Sequence, residues 1–391
     1  MSFNRRNFLK VSGAGVAGVM VAGNIQGSVP SGKLELRGPQ KLIYRTLGRT
    51  GLKLPIVSMG AMRADNPALL KAAVDAGIIH FDSAQSYQDG RNEEMLGNFF
   101  QKYKRESFVI STKIGLRQEL TKDDVFAKVD LSLKRLKTNY IDILYLHGLR
   151  TKESVLDPTM LDILTEVKKS GKVKFVGVST HSNMAEVIRA TVEAKVYDVV
   201  LTSYNFKLEN LPDLKQAIAD AAKAGLGVIA MKTMAGVYWD KEKTKKINVK
   251  AALKWALLDE NIHTAIPGFT SFEQLEESMS VMEGLAMTEQ EKADLQGDGT
   301  TAGLFCQGCE QCIPQCPNNV PVPDIMRSYM YAYGYRDLGL ARNVIDNLPL
   351  AAQNNCTLCP ECVVNCRMGF DIQAKAKDIL RVKNIPQDFL A

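Results

Sequence analysis

The first 305 of the 391 residues contain no cysteine. Thiolate ligation and disulfide crosslinking are thereby excluded from most of the chain. All eight cysteines fall between Cys306 and Cys366, where they serve one local device. No dense basic run appears either. Lys and Arg number 49 against 43 Asp and Glu, a formal charge of +6 that is mild for this length and does not point to nucleic acid. No G-x-G-x-x-G turn follows the first β-like run, which argues against a doubly wound dinucleotide fold, the runner-up architecture. What is present is an ordinary globular composition, 46% hydrophobic and 24% charged, able to bury a full core. The length suits one (β/α)8 barrel, which takes roughly 250 residues, plus a small domain.

Charge is also missing from residues 11–32. They follow Asn4-Arg5-Arg6-Asn7-Phe8-Leu9-Lys10, so a basic segment precedes a short, mildly apolar one, Val11 to Gly23. That order reads as an export signal. The apolar part is too short for a spanning helix, which needs about 20 residues. Paired arginines before Phe-Leu-Lys resemble the twin-arginine signal; a chance basic pair on an ordinary secretory signal is the alternative. Residues 1–30 are expected to be signal and linker, which makes the twin-arginine export machinery a partner and the periplasm or another extracytoplasmic space the destination.

From residue 54 to 286, short apolar runs alternate with amphipathic stretches. The runs are Leu54–Met59, Ile78–Phe81, Phe108–Ile110, Ile141–Leu146, Val173–Val178, Val199–Leu201, Gly227–Met231 and Thr264–Ile266. Between them lie helical patterns such as Asn66–Ala76, Asp123–Leu136 and Met184–Ala194. Eight such units predict an α/β fold with a parallel sheet closed as a TIM barrel over residues 42–296. The site of such a barrel lies at the C-terminal ends of its strands. There stand Asp82 with Tyr87 in the following loop, Lys113, His147, Ser179-Thr180 and Met231-Lys232. An acid, a phenol, a lysine and an imidazole on one mouth suit proton delivery to a carbonyl. The expectation is that Lys113 lowers the Tyr87 pKa from its usual value near 10, with Asp82 holding the lysine charged and His147 orienting the carbonyl. His80 and His263 read as structural, and His181 as a residue that could face the pocket.

Tyr44-Arg-Thr-Leu-Gly-Arg-Thr-Gly51, Phe81-Asp-Ser-Ala-Gln-Ser-Tyr87, Ser111-Thr-Lys113, Leu146-His147 and Gly177-Val-Ser-Thr180 resemble the aldo-keto reductase family over roughly residues 42–290. The resemblance implies Tyr87 as general acid/base, Lys113 and Asp82 as its tuning pair and His147 as the substrate orienter. It implies NAD(P)H as hydride donor, with Ser179 on the nicotinamide carboxamide. Gly60, Thr180, Met231, Lys232, Gly268, Gln274, Glu277 and Ser278 would form the rest of the cofactor site. The sequence departs from the family where the NADPH 2′-phosphate is usually held. Gly268 and Gln274 carry no charge there, so NAD and NADP both stay open. Met231 replaces a stacking tyrosine, and Leu201 a common glutamine.

The cysteines form Cys306-x2-Cys309-x2-Cys312-x3-Cys316 and Cys356-x2-Cys359-x2-Cys362-x3-Cys366, each residue of the second run 50 after its mate. This is bacterial ferredoxin spacing, in which the fourth cysteine of each run ligates the other cluster. Two 4Fe–4S clusters are expected, one on Cys306, Cys309, Cys312 and Cys366, the other on Cys356, Cys359, Cys362 and Cys316. Disulfides and zinc are the alternatives. Residues 300–385 are expected to form a small, mainly helical and loop ferredoxin-like domain, with Tyr329, Tyr331, Tyr333 and Tyr335 serving packing or an interface. Cluster assembly in the cytoplasm agrees with the twin-arginine reading, because that route carries folded cargo. The functional expectation is an oxidoreductase acting on a small carbonyl or alcohol, with electron transfer through the clusters to a partner protein. The rival is an electron-transfer module whose barrel binds a ligand without catalysis.

Overall fold

Tyr44–Thr46 (β1) and Lys53–Pro55 (β2) pair antiparallel, and the hairpin buries Leu47 and Leu54 completely. The computed structural model describes residues 41–116, 120–208, 210–236, 238–239, 244–296, 305–386 and 389–390. Residues 1–30, read as the export signal, lie outside them. Eight parallel strands follow the hairpin: Met59–Gly60 (β3), His80–Asp82 (β4), Val109–Gly115 (β5), Ile141–His147 (β6), Val173–Thr180 (β7), Val199–Ser203 (β8), Gly227–Met231 (β9) and Thr264–Ala265 (β10). Each pairs with its neighbour in chain order. Parallel bridges Val57–Ala265 and Gly60–Gly268 close the seam between first and last. A Cβ on Gly60 would stand 2.8 Å from the Ile266 carbonyl oxygen, so the seam needs a glycine there.

The run Leu54–Met59, expected as one strand, is divided. Leu54 and Pro55 finish the hairpin, and the chain then crosses to the barrel wall at Met59. Leu47, Leu54, Ile143, Tyr145, Val199, Leu201 and Ile229 fill the barrel interior below the mouth.

The outer layer comprises Pro67–Asp75 (α1), Arg91–Phe100 (α2), Lys122–Leu136 (α3), Lys152–Val155 (α4), Pro158–Lys169 (α5), Met184–Ala194 (α6), Leu211–Lys223 (α7), Val249–Leu257 (α8), Phe272–Met279 (α9) and Glu289–Gln296 (α10). Their starts follow from local chemistry. Asn66 accepts from the Ala68 amide before Pro67, and Thr121 with Asp124 closes a capping box on α3. On α3 the residues Val125, Val129, Ser132 and Leu136 are buried, a single face at helical spacing.

Beyond the barrel come Val322–Tyr333 (α11), Leu338–Asp346 (α12), Leu350–Leu358 (α13) and Ile372–Ile379 (α14). They have their own core, centred on Ile325, Ala341, Ile345, Ala376 and Ile379. Cys306, Cys312, Cys316, Cys356, Cys362 and Cys366 pack partly buried against it.

Candidate functional site

Successive side chains of a strand point to opposite faces. On β5 that parity puts Val109 in the barrel interior and Ile110 and Ile114 in the outer layer. Lys113 shares the parity of Val109 and emerges at the top of the interior. The same alternation brings Asp82, His147, Ser179, Ser203 and Met231 to the mouth, where they line one cavity of about 320 Å³ together with Tyr87 and Lys113.

Beneath the mouth runs a buried polar column. His80 Nε2 lies 2.9 Å from Ser111 Oγ, and Ser111 donates to Asp82 Oδ1 at 2.7 Å. Asp82 Oδ2 accepts from the Lys113 ammonium, which also donates to the Ser83 carbonyl at 2.7 Å. Burial pushes His80 down to about 4, which keeps its ring neutral. The Lys113 nitrogen sits 5.1 Å from the centre of the Tyr87 ring, and that ring meets His147 edge-on at 6.0 Å. Four functional groups thus converge as the strand ends imply, but the expected electrostatics are reversed at one point. Burial raises the Tyr87 pKa, and the Asp82 carboxylate and Tyr335 act in the same direction. Burial likewise lowers Lys113. The expectation that Lys113 pulls the phenol down is corrected. Desolvation is the largest cause, and Lys113, ion-paired with Asp82, does not overcome it.

Of the residues given to a cofactor, Gly60, Ser179, Met231, Lys232, Gly268, Gln274, Glu277 and Ser278 line the cavity. Thr180 does not. It is fully buried, with its hydroxyl donating to the Ser182 carbonyl at 2.8 Å. Strand parity explains the correction: Ser179 shares the inward parity of Gly177, and Thr180 the outward parity of Val178. Ser179 Oγ accepts from the Gly148 amide at 3.0 Å, and Gln274 Oε1 accepts from the Thr270 amide at 2.8 Å. Ser203 Oγ is buried without a hydrogen-bond partner. A cavity wall made of two glycines, serine hydroxyls and an unsatisfied polar atom fits a nicotinamide.

The C-terminal domain roofs this mouth. Phe305, Cys306, Gln307 and Gly308 of the first cysteine loop, together with Met326, Arg327, Met330, Tyr331 and Tyr335, complete the cavity wall. The roof is seated by close contacts. Gly308 has φ +70°, and a Cβ on it would stand 2.3 Å from the His181 carbonyl oxygen. Arg150, after β6, pairs with Asp324 of α11. Arg63 lies over the Tyr335 ring at 5.5 Å. The alternating tyrosines form two pairs at i,i+4. Tyr331 and Tyr335 face the cavity, and Tyr329 stacks on Tyr333 elsewhere.

The eight thiols fall into two neighbourhoods. Burial raises Cys306, and the thiols of Cys309 and Cys366 add to that; Cys312 is pushed up to about 12 by burial and by Cys306, Cys309 and Cys366. Burial pushes Cys356 up to about 11, with Cys316, Cys362 and Cys359 acting in the same direction. In both neighbourhoods the fourth thiol comes from the opposite run. One side chain ties the two loops. Gln315 donates to the Asn365 carbonyl at 3.3 Å and accepts from the Asn365 amide at 2.7 Å, and these residues precede Cys316 and Cys366. Thiols that oppose one another's ionisation are relieved when metal takes their protons' place. Four thiols in each neighbourhood, three from one run and one from the other, match the ligand set of a cubane cluster, one thiolate for each iron corner.

Residues 58–251 match the aldo/keto reductase family, and residues 305–371 match the 4Fe-4S dicluster domain. The chain is 26% identical over 301 residues to L-galactose dehydrogenase of Arabidopsis thaliana, covering 66% of this chain and 94% of that protein. It is 26% identical over 321 residues to L-glyceraldehyde 3-phosphate reductase of Escherichia coli strain K12, covering 64% and 91%. An aldo-keto reductase structure from Bacillus halodurans, in its holo form, superposes with a TM-score of 0.55 at 20% identity, covering 66% of this chain and 96% of that one. That last likeness concerns the fold. These relatives are matched nearly end to end, while about a third of this chain lies outside the match.

Proposed function

Because this chain is an oxidoreductase with an aldo/keto reductase family domain and a C-terminal 4Fe-4S dicluster domain, we propose that it reduces a small carbonyl compound, or oxidises the matching alcohol, with NAD(P)H. The eight cysteines would hold two clusters, which would supply single-electron transfer to or from a partner protein, and the protein works outside the cytoplasm after twin-arginine export. One observation carries the reading: Asp82, Tyr87, Lys113 and His147 share a single cavity, and Cys306 lines the same cavity.

When bound, the nicotinamide supplies a hydride and the clusters move single electrons. The chain's own residues do the rest. Tyr87 holds a proton on Oη and delivers it to the carbonyl oxygen. Asp82 and Ser83 fix Lys113 beside the Tyr87 ring. His147 orients the carbonyl by hydrogen bonding. Tyr331 and Tyr335 line the same cavity from the C-terminal domain. A phenol pushed up by burial keeps its proton at neutral pH, which suits the acid in carbonyl reduction.

The test is NADH or NADPH oxidation by the purified, cluster-loaded protein with a panel of small aldehydes. Reduction should stay flat from about pH 6 to about pH 9, because Tyr87 remains protonated throughout, while alcohol oxidation rises with pH. If neither nicotinamide binds, carbonyl reduction is wrong and the barrel is a binding module for the cluster domain.

Export has its own test. Exchanging Arg5 and Arg6 for Lys keeps the charge but removes the paired guanidinium groups. Cluster-loaded protein should then accumulate in the cytoplasm. Unchanged export would assign the segment to the general secretory route.

A further inference from the structure

The polar column beneath the mouth has a direction. His80 and Asp82 share one parity on β4, with Phe81 between them in the outer layer. Ser111 stands beside Asp82 in the register of β4 and β5. His80, Asp82, Ser111 and Lys113 are all buried. They form one chain of contacts, from His80 to Ser111 at 2.9 Å, from Ser111 to Asp82 at 2.7 Å, and from Asp82 to Lys113.

The donors follow by elimination. The Asp82 carboxylate only accepts, so the Ser111 hydroxyl uses its one hydrogen on Oδ1. Toward His80, Ser111 Oγ can then only accept, and Nε2 must carry the hydrogen. Burial keeps the ring neutral; Asp82 and Asp142 oppose it and Lys113 adds to it. A neutral ring has one N–H, so Nδ1 is bare. Nδ1 is also the ring nitrogen that is buried without a hydrogen-bond partner. With the opposite tautomer, Ser111 would donate to Nε2, and Asp82 Oδ1 would lose its donor. His263 differs, because its Nδ1 meets the Val228 amide at 3.0 Å, a backbone contact. The second acceptor for Lys113 is fixed separately. The Ser83 carbonyl takes the ammonium at 2.7 Å, while the Ser83 hydroxyl donates to Asn92 at 2.6 Å.

We propose that His80 and Ser111 are positioning residues for proton transfer at the mouth. His80 Nε2–H turns the Ser111 hydroxyl toward Asp82 Oδ1, which aims Oδ2 at Lys113 and so sets the ammonium beside the Tyr87 ring. The catalytic consequence rests on the reading of Tyr87 as the acid; the order of the hydrogen bonds does not. His80, structural by its sequence context, thus acts on the site through its neighbours.

Nuclear magnetic resonance of the cluster-loaded protein, isotope-labelled at its histidine nitrogens, tests the order directly. The chain has four histidines, so each ring can be resolved, and His80→Leu assigns the His80 signals. His80 should show a protonated Nε2 and a bare Nδ1 at neutral pH. An Nδ1–H ring, or a charged one, overturns the proposal. Steady-state kinetics tests the consequence. Ser111→Ala should lower kcat for carbonyl reduction by roughly 10-fold with KM for the aldehyde unchanged, because it removes a hydrogen bond to a charged group that does not hold substrate. Ser111→Thr keeps the hydroxyl and should restore most of the loss. Ser111→Ala and His80→Leu should not add when combined, since they act along one chain. Ser58→Ala is the control. It breaks another buried hydroxyl contact of the barrel, to Thr264 at 2.9 Å, and should lower thermal stability without lowering kcat. Equal kcat losses in Ser58→Ala and Ser111→Ala, a raised KM with kcat unchanged, or no loss in Ser111→Ala overturns the positioning role. Full turnover in Tyr87→Phe would overturn the acid reading alone, and a protonated Nε2 would leave the hydrogen-bond order standing.

Discussion

Replacing Tyr87 by Phe is expected to lower carbonyl turnover by roughly 10²–10⁴-fold, the usual contribution of general acid–base catalysis. The change removes one oxygen and leaves the ring that packs edge-on against His147. Cofactor affinity, iron content and thermal stability should therefore hold. The size of the loss follows from the chemistry: Phe keeps the ring but has no proton to give the carbonyl oxygen. Single-turnover mixing of the variant with NADPH and an aldehyde reads the chemical step directly. Near-parent rates would show that the proton comes from elsewhere, and the role given to the whole quartet would fall with it.

Cys366→Ala is expected to empty the cluster of the other cysteine run. In sequence Cys366 closes the second run, but its thiol acts on Cys306 and Cys312 of the first. A two-cluster protein carries about eight irons, so roughly four should be lost. The loss should reach the barrel as well, because Cys306, Gln307 and Gly308 line the cavity. Cys316→Ala is the matched control. Its thiol acts on Cys356, which does not line the cavity, so the same amount of iron should go with a smaller effect on ligand binding. Iron analysis with electron paramagnetic resonance of the reduced protein separates the two variants. If Cys366→Ala and Cys356→Ala remove the same signal, the ligands are not crossed.

Asp82 and His147 are legible in the sequence because a buried strand that stops on an ionisable group marks the end facing the site, whereas Lys113, expected at a strand end, stands two residues inside β5. The cysteine runs are legible because ligation is local and the repeat is 50 residues. Thr180 misleads because it is as polar as Ser179; only parity along the strand separates them. The run Leu54–Met59 misleads because hairpin and barrel both demand apolar residues, and nothing local marks the crossing. Arg327, Tyr331 and Tyr335 escape as cavity residues for a different reason. They reach the barrel through packing between segments far apart in the sequence, which no local period records.

The seating of Gly308 against the His181 carbonyl couples two stabilities usually considered apart. Lifting the roof means withdrawing the loop that carries Cys306, so whatever opposes lifting also shields that loop. A ligand that binds only the closed cavity adds RT ln(1 + [L]/Kd) to the work of opening, about 2.7 kcal/mol at a hundredfold excess over Kd. The first cysteine loop should then meet chelators and oxidants about a hundredfold less often while the cavity is full. Ligand supply would then set not only how fast the protein works but how long it lasts.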